Sequence, residues 1–120
     1  MAFADNKPRT VEQGILPAKV TLAEACVVGD LLTYNSGWKL AAPNTATEVF
    51  VAGESGAIGD KITVYAAAIL SGVTGATAGN EIVAAASGAY SEASSGQKVG
   101  VSLSATTIYV GPLLVPTAIT

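Results

Sequence analysis

The sequence predicts an all-β protein, a small single-domain β-barrel or sandwich with an extended N-terminal arm. Three observations carry this. The phrase Gly-Asp/Asn-x-(Ile/Leu) occurs three times, as Gly29-Asp30-Leu31-Leu32, Gly59-Asp60-Lys61-Ile62 and Gly79-Asn80-Glu81-Ile82. Glycine reaches positive φ without steric cost and Asp or Asn bonds its own backbone nearby, so each copy reads as a tight turn that launches a strand. Lys61-Ile62-Thr63-Val64-Tyr65 alternates apolar and polar residues with the period of a half-buried strand. Asn35-Ser36-Gly37 lies between strand formers, which is hairpin-turn chemistry.

Length and composition set the frame. A chain of 120 residues makes one domain. Half of it is hydrophobic and only 12% is charged, about half the usual share, which favours a surface partly covered by partners or by copies of itself. The six basic residues are scattered singly and the net charge is −3, so nucleic-acid binding, which requires clustered positive charge, is not expected. No apolar run approaches the ~20 residues of a membrane-spanning helix, and Met1 to Arg9 leads into no signal-peptide core. Cys26 has no partner cysteine and sits in the apolar run Ala25-Cys26-Val27-Val28, where a buried, reduced thiol is expected.

In chain order, residues 1–17 read as an arm and 18–120 as the β-domain. Pro8, Gly14 and Pro17 argue against continuous pairing in the arm, and its charged stretch Asp5 to Arg9 suggests no core role. Lys19 to Leu22 reads as a short strand. Thr21-Leu22-Ala23-Glu24 has capping-box spacing, which allows one helical turn through Ala25. Leu31 to Tyr34 and Trp38 to Leu40 form the hairpin, Pro43 to Thr47 a loop, and Glu48 to Ala52 a strand. The longest strand begins at Lys61 and continues through Val73 with a bend. Glu81 to Ala85 and Ala89 to Ser91 pair around Ser87-Gly88, and Val99 to Leu103 and Thr107 to Val110 close the fold. Leu113-Leu114-Val115 is an apolar tail. The core is expected at Ile62, Val64, Val99, Val101 and Ile108.

Catalytic chemistry is not legible. Without histidine, Ser-His and Cys-His pairs are ruled out, and the chain is expected not to be an enzyme. Asp30 and Asp60 are explained by their turns, and the glycine-rich stretch 72–79 lacks the Gly-Lys-Ser/Thr ending of a phosphate loop. No catalytic residue, cofactor or metal ligand is assigned. Trp38 reads as a core or interface anchor, with a sugar-stacking platform as the alternative.

From Ala57 onward the chain resembles the small β-rich capsid decoration (cement) proteins of tailed bacteriophages. The resemblance rests on Ile58-Gly59-Asp60-Lys61-Ile62-Thr63-Val64, Ala78-Gly79-Asn80-Glu81-Ile82-Val83, Ala86-Ser87-Gly88-Ala89 and Lys98-Val99-Gly100-Val101-Ser102-Leu103. It implies a virion structural protein on the outer surface of the capsid. Such a protein bridges capsomers, has the major capsid protein as partner, and often forms homotrimers with a terminal segment laid on the shell. Within the arm, Phe3, Val11, Ile15 and Leu16 are the apolar groups expected to make the capsid contact. The alternative is another structural or adhesive β-module, a tail or baseplate component or a carbohydrate-binding domain.

Overall fold

β5 (Lys61–Thr74) is the spine on which the other strands are hung. Its length follows from an unbroken run of strand formers and small residues between two glycine turns. The computed structural model describes residues 2–43, 49–93 and 95–112. The remaining strands are β1 (Ala4–Thr21), β2 (Leu31–Tyr34), β3 (Trp38–Leu40), β4 (Phe50–Ala52), β6 (Glu81–Ala84), β7 (Tyr90–Glu92), β8 (Lys98–Ser102) and β9 (Thr107–Val110). A short 3₁₀ turn (Ala86–Gly88) joins β6 to β7. All named pairings are antiparallel, in the order β3-β2-β4-β5-β9-β8-β6-β7 with β1 on β5, and the sheet curls into a half-barrel. The predicted all-β class is what the chain adopts.

One edge of β5 takes β1 from Thr21↔Lys61 to Ala4↔Thr74. The other edge is shared, β4 pairing at Val64 and Tyr65 and β9 from Ala68 to Ser71. Among the described residues two apolar clusters result. The smaller holds Leu22, Cys26, Leu32, Ala52, Ile62 and Val64, and the larger includes Leu31, Val51, Leu70, Ile82, Val99 and Ile108. Leu31 and Leu32 belong to different clusters, as do Val51 and Ala52. β2 and β4 are therefore covered on both faces, which is why their residues 31–33 and 51–52 are all buried.

The repeated turn phrase builds three like corners. Gly29, Gly59 and Gly79 have φ of 86°, 90° and 89°, and the following Asp30, Asp60 and Asn80 donate their N–H to the carbonyls of Val27, Ala57 and Thr77. Each glycine N–H reaches a neighbouring segment, at Ala52, Leu22 and Ser102. Those residues return an N–H to the carbonyl of the Asp or Asn. In the first two corners the aspartate Oδ2 also accepts the N–H of Val27 or Ala57 at 2.9 Å. Asn80 cannot supply a carboxylate, and Glu92 accepts from Thr77 instead.

Several expectations are corrected. The segment 1–17 is extended, but Pro17 does not interrupt pairing: Gly14, Ile15, Pro17 and Ala18 oppose Ala68, Ala67, Tyr65 and Val64, so the ladder crosses the 17/18 boundary. An edge strand tolerates proline when its nitrogen faces away from the partner. No helical turn forms at Thr21 to Ala25. Thr21 ends β1, Leu22 bridges to Trp38, and the Glu24 carboxylate accepts the N–H of Leu40 across the fold. Val101 is not in the core beside Val99. Ile82 opposes Gly100 while Val83 opposes Lys98, so Val99 is an extra, bulged residue that reverses the alternation. Val101 turns outward opposite Tyr109, and Ser102 is buried in its place. Ile62, Val64, Val99 and Ile108 are buried as expected. Gly100 is obligatory here, because a Cβ would lie 1.9 Å from the Tyr109 carbonyl oxygen. The expected strand start at Glu48, the loop beyond Pro43 and the tail Leu113 to Val115 lie outside the described residues.

Candidate functional site

The arm is tied down by residues that the sequence left without a task. Between Asp5↔Val73 and Thr10↔Ser71 the pairing slips, so residues 6–9 bulge over Gly72. A Cβ on Gly72 would come within 3.2 Å of the Arg9 backbone, so glycine lets the bulge close. The bulge turns the Arg9 side chain fully inward. Its Nε and Nη2 donate to the two Asp5 oxygens at 2.7 Å each, and Nη1 donates to Asp30 Oδ1 at 2.5 Å. Nη2 also donates to the Gly88 carbonyl, and the guanidinium stands 5.0 Å over the Tyr90 ring. Tyr90 donates its hydroxyl to the Gly29 carbonyl at 2.6 Å and its N–H to Asp5. Lys7 sits 3.2 Å from Asp30 and donates to the Ser87 carbonyl.

This clasp joins the start of β1, the first glycine corner and the 3₁₀ turn. Burial alone would lower the Arg9 pKa, but the bonds to Asp5 and Asp30 outweigh it and raise it, so the guanidinium stays charged. Burial pushes the Tyr90 phenol up. The signal in the sequence was faint: an arginine in a proline-broken segment reads as solvated, and beyond Asp5, four residues away, its partners Asp30 and Gly88 are 21 and 79 residues away.

The four apolar arm residues divide. Phe3 and Val11 are half-buried and pack on the larger cluster. Ile15 and Leu16 face solvent, at 50% and 70% exposure. Leu16 has φ 54°, a left-handed conformation that costs a non-glycine residue roughly 1–2 kcal/mol and is further disfavoured before proline. Strain of this kind concentrates where a protein presents a group for use. Beside Ile15, on the outer face of the sheet, a groove of about 150 Å³ is walled by Gln13, Ala67, Ala68, Ile69 and Tyr109. The register explains it: Gln13, Ile69, Tyr109 and Val101 form one row across β1, β5, β9 and β8, and none is charged.

Other candidate positions serve packing. Trp38 is half-buried on the smaller cluster and meets Tyr34 and Phe50 edge to face at 5.5 and 5.4 Å, which matches the anchor reading better than a flat platform. Cys26 is 6% exposed, free, and pushed up in pKa by burial. A polar cleft lies at Gly79, Asn80, Glu81, Glu92 and Ala93. The N–H of Thr77 holds the Glu92 carboxyl below its ordinary pKa. Among the described residues, no group of three or more His, Cys, Asp or Glu is placed to hold a metal ion, and no helix is long and apolar enough to cross a membrane. No protein-family model matches the chain, and no curated protein matches it.

Proposed function

We propose that this chain is a virion structural protein of a tailed bacteriophage, a decoration subunit that binds the outside of the head and bridges capsomers. Its partner is the major capsid protein, and it acts as a homo-oligomer, a trimer in the favoured form. The observation that carries the reading is the presentation of Ile15 and Leu16. Two large aliphatic side chains stand in solvent on a strand paired with the spine on both sides of the 6–9 bulge and locked by the Arg9 clasp. A bridging subunit under load needs apolar contact on a rigid element, because a loose arm would lose ordering entropy on binding. The low charge and the resemblance of the chain from Ala57 onward to decoration proteins point the same way.

The test is binding of the purified protein to undecorated heads, with Ile15→Asp/Leu16→Asp compared to the parent. Burying such side chains contributes ~1.5–3 kcal/mol each at full burial, and both are already partly covered. A loss of about 2–3 kcal/mol is expected, which weakens attachment roughly a hundredfold. The melting temperature should stay within about 2 °C, since exposed substitutions change stability little. Undiminished affinity of a folded double variant would remove these residues from the contact.

A further inference from the structure

We infer that the Tyr65 ring is a positioning group for the attachment contact: it fills the side of β1 that an extended Leu16 would enter, and so holds Leu16 outward in its left-handed conformation. Nothing local explains that conformation. A φ of 54° suits glycine, and the residue before a proline is ordinarily extended. The rungs on either side, Ile15↔Ala67 and Pro17↔Tyr65, are two residues apart on both strands, so no inserted residue forces a left-handed turn between them. The cause has to come from a group packed against the strand.

Tyr65 is that group. In an extended strand alternate residues share a side, so Gly14 and an extended Leu16 would face the same way. That side is taken. A Cβ on Gly14 would lie 2.5 Å from Tyr65 Cγ and 2.6 Å from each Cδ. Farther along the ring, a Cβ on Gly53 would lie 2.7 Å from Cε2. Glycines of this kind mark a close approach by a neighbouring group, and this pair leaves the ring little room to swing toward either strand. Tyr65 also packs on the larger cluster, which keeps it in place. With the ring seated, the left-handed turn sends Leu16 out to 70% exposure and leaves both flanking rungs intact. The inference deepens the attachment reading, on which it rests only for what Leu16 is presented to.

The test compares Leu16→Gly with Leu16→Ala by urea unfolding, in the parent chain and in Tyr65→Phe, Tyr65→Val and Tyr65→Ala backgrounds. A left-handed position favours glycine and an extended one favours alanine. In the parent and in Tyr65→Phe, the Leu16→Gly midpoint should lie about 0.5 M above that of Leu16→Ala. In Tyr65→Val and Tyr65→Ala the order should reverse, because the emptied side lets residue 16 extend. Tyr65→Val keeps a strand former, so the comparison stands even where Tyr65→Ala fails to fold. Loss of packing alone would lower every midpoint and leave the order unchanged. Two results overturn the inference: the parent order persisting in the truncated backgrounds, or Leu16→Ala above Leu16→Gly in the parent. Tyr65→Val should also bind undecorated heads roughly tenfold more weakly, one residue's share of the loss expected for Ile15 and Leu16 together. A reversed order with undiminished binding would uphold the positioning and count against the capsid contact.

Discussion

Replacing Arg9 by alanine is the sharpest perturbation of this fold. The side chain is fully buried and satisfies two carboxylates, Asp5 and Asp30, whose side chains are 7% and 2% exposed. Removing one partner of a buried ion pair costs about 3–5 kcal/mol, because the remaining charge is left uncompensated. Here Lys7 still reaches Asp30 at 3.2 Å, and Tyr90 still donates to Asp5. The expected loss is therefore about 3 kcal/mol, a large share of the 5–15 kcal/mol that holds a domain folded. With a urea slope near 2 kcal/mol per M, the midpoint should fall by about 1.5 M. Arg9→Lys should fall between parent and alanine, since it keeps the charge but loses the fork that grips Asp5 at two points. Asp5→Asn combined with Arg9→Met should be less damaging than Arg9→Ala, because it leaves one carboxylate fewer unpaired. A midpoint for Arg9→Ala within about 0.3 M of the parent would refute the clasp and return residues 4–9 to the status of a solvated arm.

Three further outcomes follow from the same geometry. Cys26 should label slowly with a thiol reagent in the native state, because burial first, and then the charge of Asp30, raises its pKa and depletes the thiolate; rapid stoichiometric labelling would contradict this. Ile62→Ala and Ile108→Ala should each cost roughly 2–5 kcal/mol in urea unfolding, whereas Val101→Ala, outside the core, should cost about 1 kcal/mol or less. Glu92 is depressed in the folded state by the Thr77 N–H. Its contribution is thus present above the unfolded carboxyl pKa and is lost as pH falls through the folded one; Glu92→Gln should flatten that part of the acid unfolding profile, and an unchanged profile would show that the bond to Thr77 contributes nothing.

Local chemistry made most of the strands legible. Gly29, Gly59 and Gly79 announce their corners because only a residue free of Cβ strain sits easily at φ near +90°. Asn35 to Gly37, the alternation at Lys61 to Tyr65 and the aliphatic pair Val99 and Ile108 likewise carry their own instructions. What tertiary structure decided was pairing at long range. Pro17 reads as a breaker, yet an edge strand with its whole inner side on β5 has an outer edge where a missing donor costs nothing. Capping-box spacing at Thr21 to Glu24 lost to a bond across the fold with Leu40. One bulged residue, Val99, reversed the parity of β8 and sent Val101 outward, an event no period-2 reading registers. The site divided in the same way. Hydrophobicity nominated Phe3, Val11, Ile15 and Leu16 alike, but the first two pack against the larger cluster and are half-buried while the last two stay exposed. The Arg9 clasp was beyond reach from sequence, because a charge reads as solvated until the chain folds its counter-charges around it. Composition and turn chemistry thus determined that this chain would be a β-domain with like corners. Which of its apolar residues stay exposed was decided only when distant strands met, since exposure belongs to the register between strands and not to any one of them.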